Sequence, residues 1–278
     1  MDDTHIAGQL RDLLNRPDES VNLAASALLV ASVWQRGLDV RAPMQELAAL
    51  AGGLRGDAST LATAEEQAGA LASYLGGTCG FRGNAGDYYN PSNSFLNHVL
   101  RRRTGLPITL SIIYIEVGRR LGFDVRGVGF PGHFIVGVRS DVATVYADPF
   151  NGGRLLMRTD LAEQLRLTYG RVVPLLPAML ESVSARDIIV RMLRNLKQAY
   201  MRRDEPRSAL AAVELLSALG PDDLGELRDR GVLLYHLHRW DEARVALADY
   251  QRLRPNAADA AYLRRLLETA EHVHRSRN

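Results

Sequence analysis

The amino-acid sequence predicts an α+β protein with a helical N-terminal part, a central domain in which a buried helix packs against an antiparallel sheet, and a C-terminal tail of helical hairpins. Three observations lead to this prediction. Apolar residues recur at helical spacing at the start of the chain, and after Gly122 the spacing changes from about 3.6 to about 2. In the tail, Pro221 and Pro255 lie 34 residues apart (255 − 221), which indicates a repeat. The expected parts span residues 1–76, 77–183 and 184–278.

The N-terminal part is rich in Ala and Leu and is expected to be helical throughout. The acidic and hydroxyl residues at 18–20 can cap the first helix, and Ser59 or Thr60 can cap the last. The Gly52-Gly53 pair is expected to end the helix between them. The expected helices lie over residues 21–34, 43–51 and 60–75.

A long irregular loop is expected at residues 76–98, where glycine, asparagine and proline are concentrated. Loops of this length inside a compact domain are often functional. Asn93 or Ser94 can cap a short helix at its end, and Pro107 suits the first turn of the next helix, over about 107–121. That helix is apolar on most sides, so we expect it to be central and buried.

Short strands are expected next, because apolar and polar residues alternate after Gly122. Pro149 and the Asn-Gly-Gly sequence at 151–153 are expected to end the sheet. Two or three further helices then lead to about residue 183. The expected strands are 125–129, 133–139 and 144–147.

The tail has the period of the tetratricopeptide repeat. With its prolines aligned, Ala209 matches Ala243 and Val213 matches Leu247. The first copy departs from the motif at Lys197, where a glycine is expected. Stacked helical repeats form extended binding surfaces, so the tail is expected to offer a face for docking a protein.

Composition and charge argue against several classes of protein. The chain is 46% hydrophobic and 24% charged with a formal net charge of +2, so no strong field favours nucleic acid or a membrane surface. The single cysteine, Cys79, excludes an internal disulfide and fits a reducing compartment. The N-terminus lacks a signal-peptide pattern, and the longest apolar stretch, residues 23–34, is shorter than the ~20 residues that span a bilayer. We therefore expect a cytoplasmic protein.

Other clusters of functional residue types have ordinary explanations. Arg101, Arg102 and Arg103 lie where a helix is expected to end, and cations there stabilise the helix dipole, so they do not indicate nucleic acid. His236 and His238 lack further ligands at suitable spacing, so no metal site is expected. The sequence has no glycine-rich phosphate loop, and no cofactor is expected.

Residues 90–153 resemble a known family. The motifs GLPITLS at 105–111, PGHF at 131–134 and DPFNGG at 148–153 are similar to those of the bacterial Sir-B-type proteins, which are transglutaminase-like and contain tetratricopeptide repeats. The resemblance covers most of the chain, because that family also has a helical N-terminal part and a repeat tail. It implies a core like that of the papain-like thiol enzymes.

In such enzymes a cysteine at the start of a buried helix attacks an amide carbonyl, a histidine on a neighbouring strand deprotonates the thiol, and an Asp or Asn orients the histidine. The resemblance assigns these last two roles to His133 and Asp148. Where ordinary transglutaminase-like domains have Gly, any residue and Cys, the resemblance places Gly105, Leu106 and Pro107 of this chain. Proline has neither a thiol nor an N–H group, so the usual covalent route lacks its nucleophile.

Three other side chains are candidates to replace the missing thiol. Ser111 and Thr109 lie near the start of the same helix, where hydroxyl groups commonly bond to the backbone. Cys79 lies in the glycine-rich loop instead. Asn93, Pro107 and Thr109 belong to the family-like stretch and are the candidate ligand-binding residues.

Two functions follow as hypotheses. The first is a non-catalytic protein whose groove near His133 and Asp148 holds an extended peptide or a small ligand, while the tail docks a protein. The second is a hydrolase or acyltransferase on amide or ester bonds that combines this pair with one of the three replacement nucleophiles. The pair could also serve only to hold two strands in register. A protein or peptide partner is expected.

Overall fold

A computed structural model describes residues 3–220 and 223–277. The described part of the chain divides into two compact units, one formed by Leu13–Met192 and the other by residues of Met1–Asp12 and Leu193–Asn278. In chain order the helices of the described part are α1 (Asp3–Leu14), α2 (Leu23–Trp34), α3 (Arg41–Ala58), α4 (Ala64–Leu71), α5 (Leu96–Arg102), α6 (Pro107–Arg120), α7 (Arg158–Tyr169), α8 (Ala185–Arg202), α9 (Pro206–Leu219), α10 (Leu224–His236), α11 (Trp240–Leu253) and α12 (Ala260–Arg277). The strands are β1 (Arg82–Gly83), β2 (Thr104–Gly105), β3 (Asp124–Val128), β4 (Ile135–Arg139), β5 (Thr144–Asp148) and β6 (Arg154–Leu156). The α+β fold class is confirmed.

The N-terminal helices begin at residues other than the expected caps. Asn22 caps α2 by accepting a hydrogen bond from the backbone N–H of Ala25 (2.9 Å). Thr63 caps α4, because Glu66 lies three residues later and completes a reciprocal capping box. The prediction of Ser59 or Thr60 was therefore wrong by three or four residues.

Helix α3 continues through the Gly52-Gly53 pair that was expected to end it. The reason is a close contact. A Cβ atom added to Gly53 would lie 2.0 Å from the hydroxyl of Tyr74, so glycine allows the ring to approach the helix. Helix α4 is followed by a stretch of π-helix over Ala72–Thr78, which carries Tyr74.

Helix α6 forms the centre of the Leu13–Met192 unit, as predicted. Pro107 is its first residue, and every residue from Pro107 to Gly118 is buried. The helix packs against β3 and β4. Its buried carboxylate, Glu116, pairs with Arg120 one turn later and also accepts a hydrogen bond from the backbone N–H of Ala24 (3.1 Å).

The main sheet is antiparallel, with the order β3-β4-β5-β6. Three strands were predicted, but β6 was not. Gly152 and Gly153 both have positive φ (67° and 81°), and they turn the chain back so that Arg154 pairs with Asp148 instead of leaving the sheet. Helix α7 and a 3₁₀ turn at Pro177–Leu180 follow, rather than two or three full helices.

A second, two-stranded sheet connects the glycine-rich loop to the start of α6. Strand β1 pairs in parallel with β2, which matches Arg82 with Thr104 and Gly83 with Gly105. Helix α5, which precedes β2, has Phe95 as its N-cap residue and no side-chain cap, so the predicted caps Asn93 and Ser94 were wrong. The loop is thereby fixed beside the first turn of the central helix.

The tail contains the expected helical hairpins. The aligned positions Ala209, Ala243, Val213 and Leu247 are all fully buried. Gly231 packs beneath Leu247, and a Cβ atom added there would lie 2.8 Å from the leucine side chain. Of the two prolines that mark the period, Pro221 lies outside the described residues.

Lys197 occupies the tail position at which the repeat motif has glycine. Its ammonium group is 2.8 Å from a carboxylate oxygen of Glu226 and 2.6 Å from one of Asp229. Burial lowers the pKa of Lys197, but these two carboxylates outweigh it and raise the pKa above its ordinary value. The departure from the motif is thus compensated by ion pairs. Over the described residues, no helix is both long enough and apolar enough to cross a membrane.

Candidate functional site

His133 and Asp148, which the sequence pairs, lie together at one end of the main sheet. Nε2 of His133 is 2.9 Å from Oδ2 of Asp148. The distance is that of an ion pair, but the ring N–H is not aligned on the oxygen as in a good hydrogen bond. The side chains are 15% and 6% exposed, so solvent reaches the imidazole more than the carboxylate.

The sequence had suggested that His133 begins a strand. In the structure, His133 belongs instead to the turn before β4. Its backbone N–H donates to the carbonyl of Phe130 (3.0 Å), and the preceding Gly132 has a positive φ of 74°. A side chain on Gly132 would meet Thr168 at 2.6 Å. The tight turn therefore sets the direction of the imidazole.

Asp148 ends β5, as predicted, and caps the 3₁₀ turn Pro149–Asn151 that follows it. Its Oδ1 accepts hydrogen bonds from the backbone N–H groups of Phe150 (3.0 Å) and Asn151 (3.3 Å), and its Oδ2 accepts one from Nδ2 of Asn151 (2.7 Å). Burial raises the pKa of Asp148, but His133 and these donors outweigh it and hold the pKa below its usual range. The carboxylate is a fixed negative charge beside the imidazole.

An aromatic wall extends from His133. The ring of Phe150 meets the imidazole edge to face, with 6.1 Å between centroids, and Tyr88 lies 6.0 Å from Phe150. The ring centroids of Tyr88 and Tyr89 are 5.3 Å apart, and both tyrosines are 38% exposed. Phe150 rests directly on Gly83, where a Cβ atom would lie 2.4 Å from the ring. Glycine at 83 is therefore required for this arrangement.

Asn93, a candidate ligand-binding residue, holds the glycine-rich loop together. Its Nδ2 donates to the carbonyls of Asp87 (2.7 Å) and Tyr88 (3.2 Å), and its Oδ1 accepts from Asn84 (3.0 Å). Its own carbonyl accepts from the N–H of Leu106 (3.1 Å). The side chain is fully buried, so it positions Tyr88 within the wall and anchors the loop to the start of α6.

No side chain in the first turn of α6 makes a hydrogen bond to His133. Pro107 is buried at the first helical position. The hydroxyl of Ser111 donates to the carbonyl of Pro107 (2.8 Å), which is the backbone bond expected for a hydroxyl in this position. The hydroxyl of Thr109 is fully buried and has no hydrogen-bond partner among the described residues, so the same expectation fails for Thr109.

Behind the pair lies Tyr114 of α6, whose buried hydroxyl has no hydrogen-bond partner in the described part of the chain. Burial raises the pKa of Tyr114, and the nearby Asp148 and Cys79 raise it further, so the hydroxyl stays protonated. Gly153 packs against it, since a Cβ atom there would lie 2.5 Å from the hydroxyl. Cys79 is a free, half-buried thiol just after the π-helix.

Within the described ranges, no hydroxyl or thiol makes a hydrogen bond to the imidazole of His133. The same ranges hold no group of three or more His, Cys, Asp or Glu side chains placed to bind a metal ion. The site thus combines an imidazole, an oriented carboxylate and an aromatic wall.

Sequence reasoning missed four residues of this site: Asn151, Phe150, Tyr88 and Arg191. A signal existed for Asn151, because an aspartate followed by proline is a typical start of a helical turn, and the turn brings Asn151 back to the aspartate. Arg191 is remote in sequence. Its Nη2 donates to the carbonyl of His133 (2.8 Å), and no local pattern could have indicated that contact.

Comparison with known proteins gives two family matches. Residues 41–194 match the transglutaminase-like superfamily, and residues 196–268 match the tetratricopeptide repeat. A UPF0162 protein of Xylella fastidiosa (strain 9a5c) is 36% identical to this chain over 250 residues, which are 89% of each chain.

The relatives include a eukaryotic protein. F-box only protein 21 of Homo sapiens is 31% identical over 178 residues, which cover 60% of this chain and 27% of that protein. Among solved structures, a crystal structure of menin is 15% identical and covers 90% of this chain and 69% of its own, with a TM-score of 0.45.

Proposed function

Because this chain belongs to the transglutaminase-like superfamily and to the UPF0162 family of bacterial proteins, we propose that it is a non-catalytic binding protein built on a catalytic fold. The groove beside His133 and Asp148 holds an extended peptide or a small ligand. The tetratricopeptide tail docks a protein partner. We further propose that it is a Sir-B-type protein of the cytoplasm, divided into parts at 1–76, 77–183 and 184–278.

One observation carries the proposal: the imidazole and its carboxylate are present, but no nucleophile meets them. Pro107 stands where the thiol enzymes of this fold have cysteine, and it removes a backbone N–H that could stabilise an oxyanion. Ser111 is occupied by a backbone bond inside the helix. A base without a partner to deprotonate cannot start covalent catalysis.

The remaining features suit binding. The exposed rings of Tyr88 and Tyr89 offer flat apolar surface with polar edges, which is common at recognition sites. The partly exposed imidazole of His133 can donate or accept a hydrogen bond at the end of that wall. Asn93, Pro107 and Thr109 support the groove from the loop and from the first turn of α6.

The test is affinity capture of partners from the native cell with three forms of the full chain: wild type, His133→Ala and His5→Ala. His5 is an exposed histidine outside the transglutaminase-like match and serves as the control. We expect at least one partner, identified by mass spectrometry, to be lost with His133→Ala and kept with His5→Ala. If His133→Ala retains all partners, recognition does not use this groove, and the part of the proposal that concerns the groove fails.

A further inference from the structure

The guanidinium of Arg191, on α8, lies at the edge of the candidate site. Its Nη2 donates to the carbonyl of His133 (2.8 Å), and its Cζ lies 5.3 Å from the centroid of Phe134. The side chain is therefore held between the turn that carries the imidazole and the buried ring of Phe134, just before β4. A guanidinium is planar and presents its N–H groups in a fork that suits recognition of a carboxylate.

Arg191 has no acidic partner among the described residues. No carboxylate oxygen there lies within ion-pair distance, and the bond to His133 is its single hydrogen bond within them. Asp148, the acidic group of the site, already has four nitrogen atoms within 3.3 Å of its oxygens. The other guanidinium N–H groups of Arg191 thus remain available to a ligand.

An unpaired, half-buried cation is unfavourable in the free protein. Burial lowers the pKa of Arg191, while the nearby Tyr88 opposes that effect, yet a guanidinium stays charged in proteins. Such a charge gains most when an anion of suitable shape replaces its lost water. A carboxylate matches the fork of a guanidinium in geometry and in charge.

The residues around Arg191 indicate which group of the ligand lies next to its carboxylate. Arg191 bonds to the carbonyl of His133, and the rings of His133, Phe150 and Tyr88 follow one another with about 6 Å between centroids. A cation thus borders the aromatic wall. A ligand with a carboxylate next to an apolar side chain would satisfy both features at once.

We propose that the groove recognises a peptide through a carboxylate, which Arg191 binds, and through an adjacent apolar side chain, which lies against Tyr88 and Phe150. This inference rests on the proposed function and adds the chemical class of the ligand. The carboxylate is either the C-terminus of the peptide or an acidic side chain within it, and the two sources differ in how the neighbouring residue is attached.

The test uses three defined probes with the full chain: N-acetyl-phenylalanine, its C-terminal amide, and N-acetyl-glutamyl-phenylalaninamide. Binding is followed by backbone amide shifts of residues 133–135 in NMR titrations. We expect one of the two carboxylate probes to bind about tenfold more tightly than the neutral amide, the gain of a charge-assisted hydrogen bond. Preference for the first probe identifies a C-terminus, and preference for the third identifies an acidic side chain.

Arg191→Met should remove this tenfold difference, and Arg191→Lys should keep part of it, because lysine retains the charge but not the fork. Arg55→Met, which removes an exposed cation from α3, should leave the difference unchanged. Thermal unfolding shows whether each variant is folded. If Arg191→Met does not fold, Arg191→Lys alone provides the test.

The outcomes separate this inference from the proposed function. If all three probes bind with equal affinity, or if Arg191→Met and Arg191→Lys both keep the full difference, the groove binds peptides without reading a carboxylate and the inference fails. If no probe shifts the amides of residues 133–135 at millimolar concentration, both the inference and the peptide-binding function fail.

Discussion

On the His133 side of the candidate site, each oxygen of Asp148 accepts a hydrogen bond, whereas on the α6 side the hydroxyl groups of Ser111 and Thr109 make no hydrogen bond to His133 or Asp148. Ser111 bonds to Pro107 within its own helix, and Thr109 has no hydrogen-bond partner among the described residues. On the first side, the carboxylate is fixed 2.9 Å from Nε2 of His133. The second side has the construction of an ordinary buried helix start.

The two sides differ in how their polar groups are satisfied. A buried carboxylate is unfavourable unless its oxygens accept hydrogen bonds. Both oxygens of Asp148 do so. Under the proposed function, the imidazole beside the exposed aromatic wall serves recognition.

The largest expected effect is that of Asp148→Ala, which removes the carboxylate on the His133 side of the site. The change leaves the N–H groups of Phe150 and Asn151 without their acceptor and removes the partner of His133. We expect a loss of about 3 kcal/mol in the free energy of unfolding. Urea denaturation measures it.

The control is Asp124→Ala in the same sheet, whose carboxylate forms exposed ion pairs with Arg126 and Arg139. Its expected loss is below about 1 kcal/mol. Equal losses in the two variants would mean that Asp148 is an ordinary surface acid.

The next prediction compares the stability of alanine variants at two adjacent glycines behind His133 and Asp148. Gly152 and Gly153 both have positive φ, so an alanine strains the backbone at either position. Only at Gly153 would the new Cβ atom collide, with Tyr114 at 2.5 Å and with Ala72 at 2.8 Å. We expect Gly153→Ala to be about 2 kcal/mol less stable than Gly152→Ala in urea denaturation. A difference near zero would contradict the close packing of Tyr114 behind Asp148.

The two hydroxyl groups of α6 should respond in opposite directions. Ser111→Ala loses a buried hydrogen bond to the carbonyl of Pro107 and should cost about 1 kcal/mol. Thr109→Val replaces a buried hydroxyl that has no partner among the described residues and should be neutral or stabilising. Thermal unfolding of the two variants tests this. Marked destabilisation by Thr109→Val would show that its hydroxyl has a partner.

The smallest effect is a pH dependence that comes from Asp148. Because its pKa in the folded chain is held below the ordinary value of 3.8, its contribution to stability is complete above that value and is lost as the pH falls through the folded pKa. Wild type should therefore lose its advantage over Asp148→Asn only below pH 3.8. Urea midpoints of both forms over a pH series measure it, and an advantage that grows below pH 3.8 would contradict the lowered pKa.

Much of this arrangement was predictable, because it depends on local signals. Pro107 begins α6 and Asp148 ends a strand, as the sequence indicates. Features that depend on distant contacts were not accessible. Arg191 reaches the His133 turn from 58 residues away, and the buried side chain of Asn93 bonds to a loop that folds back on it.

The elements whose ends were misplaced share a cause. Gly53 was taken as a helix stop, but it lies within α3 because Tyr74 packs against it. Strand β6 was missed because glycines at 152 and 153 end one strand and also allow the return of the next. In each case a glycine required by close packing or by a turn has the same appearance in sequence as a break.

The most direct test of the central claim is covalent labelling of the full chain by electrophiles that trap active-site nucleophiles. Wild type and His133→Ala are treated with a fluorophosphonate for hydroxyl groups and a chloroacetamide for thiols, and intact mass spectrometry records the adducts. We predict no adduct that depends on His133. A stoichiometric adduct on Ser111, Thr109 or Cys79 that disappears in His133→Ala would contradict the account and establish the hydrolase or acyltransferase alternative.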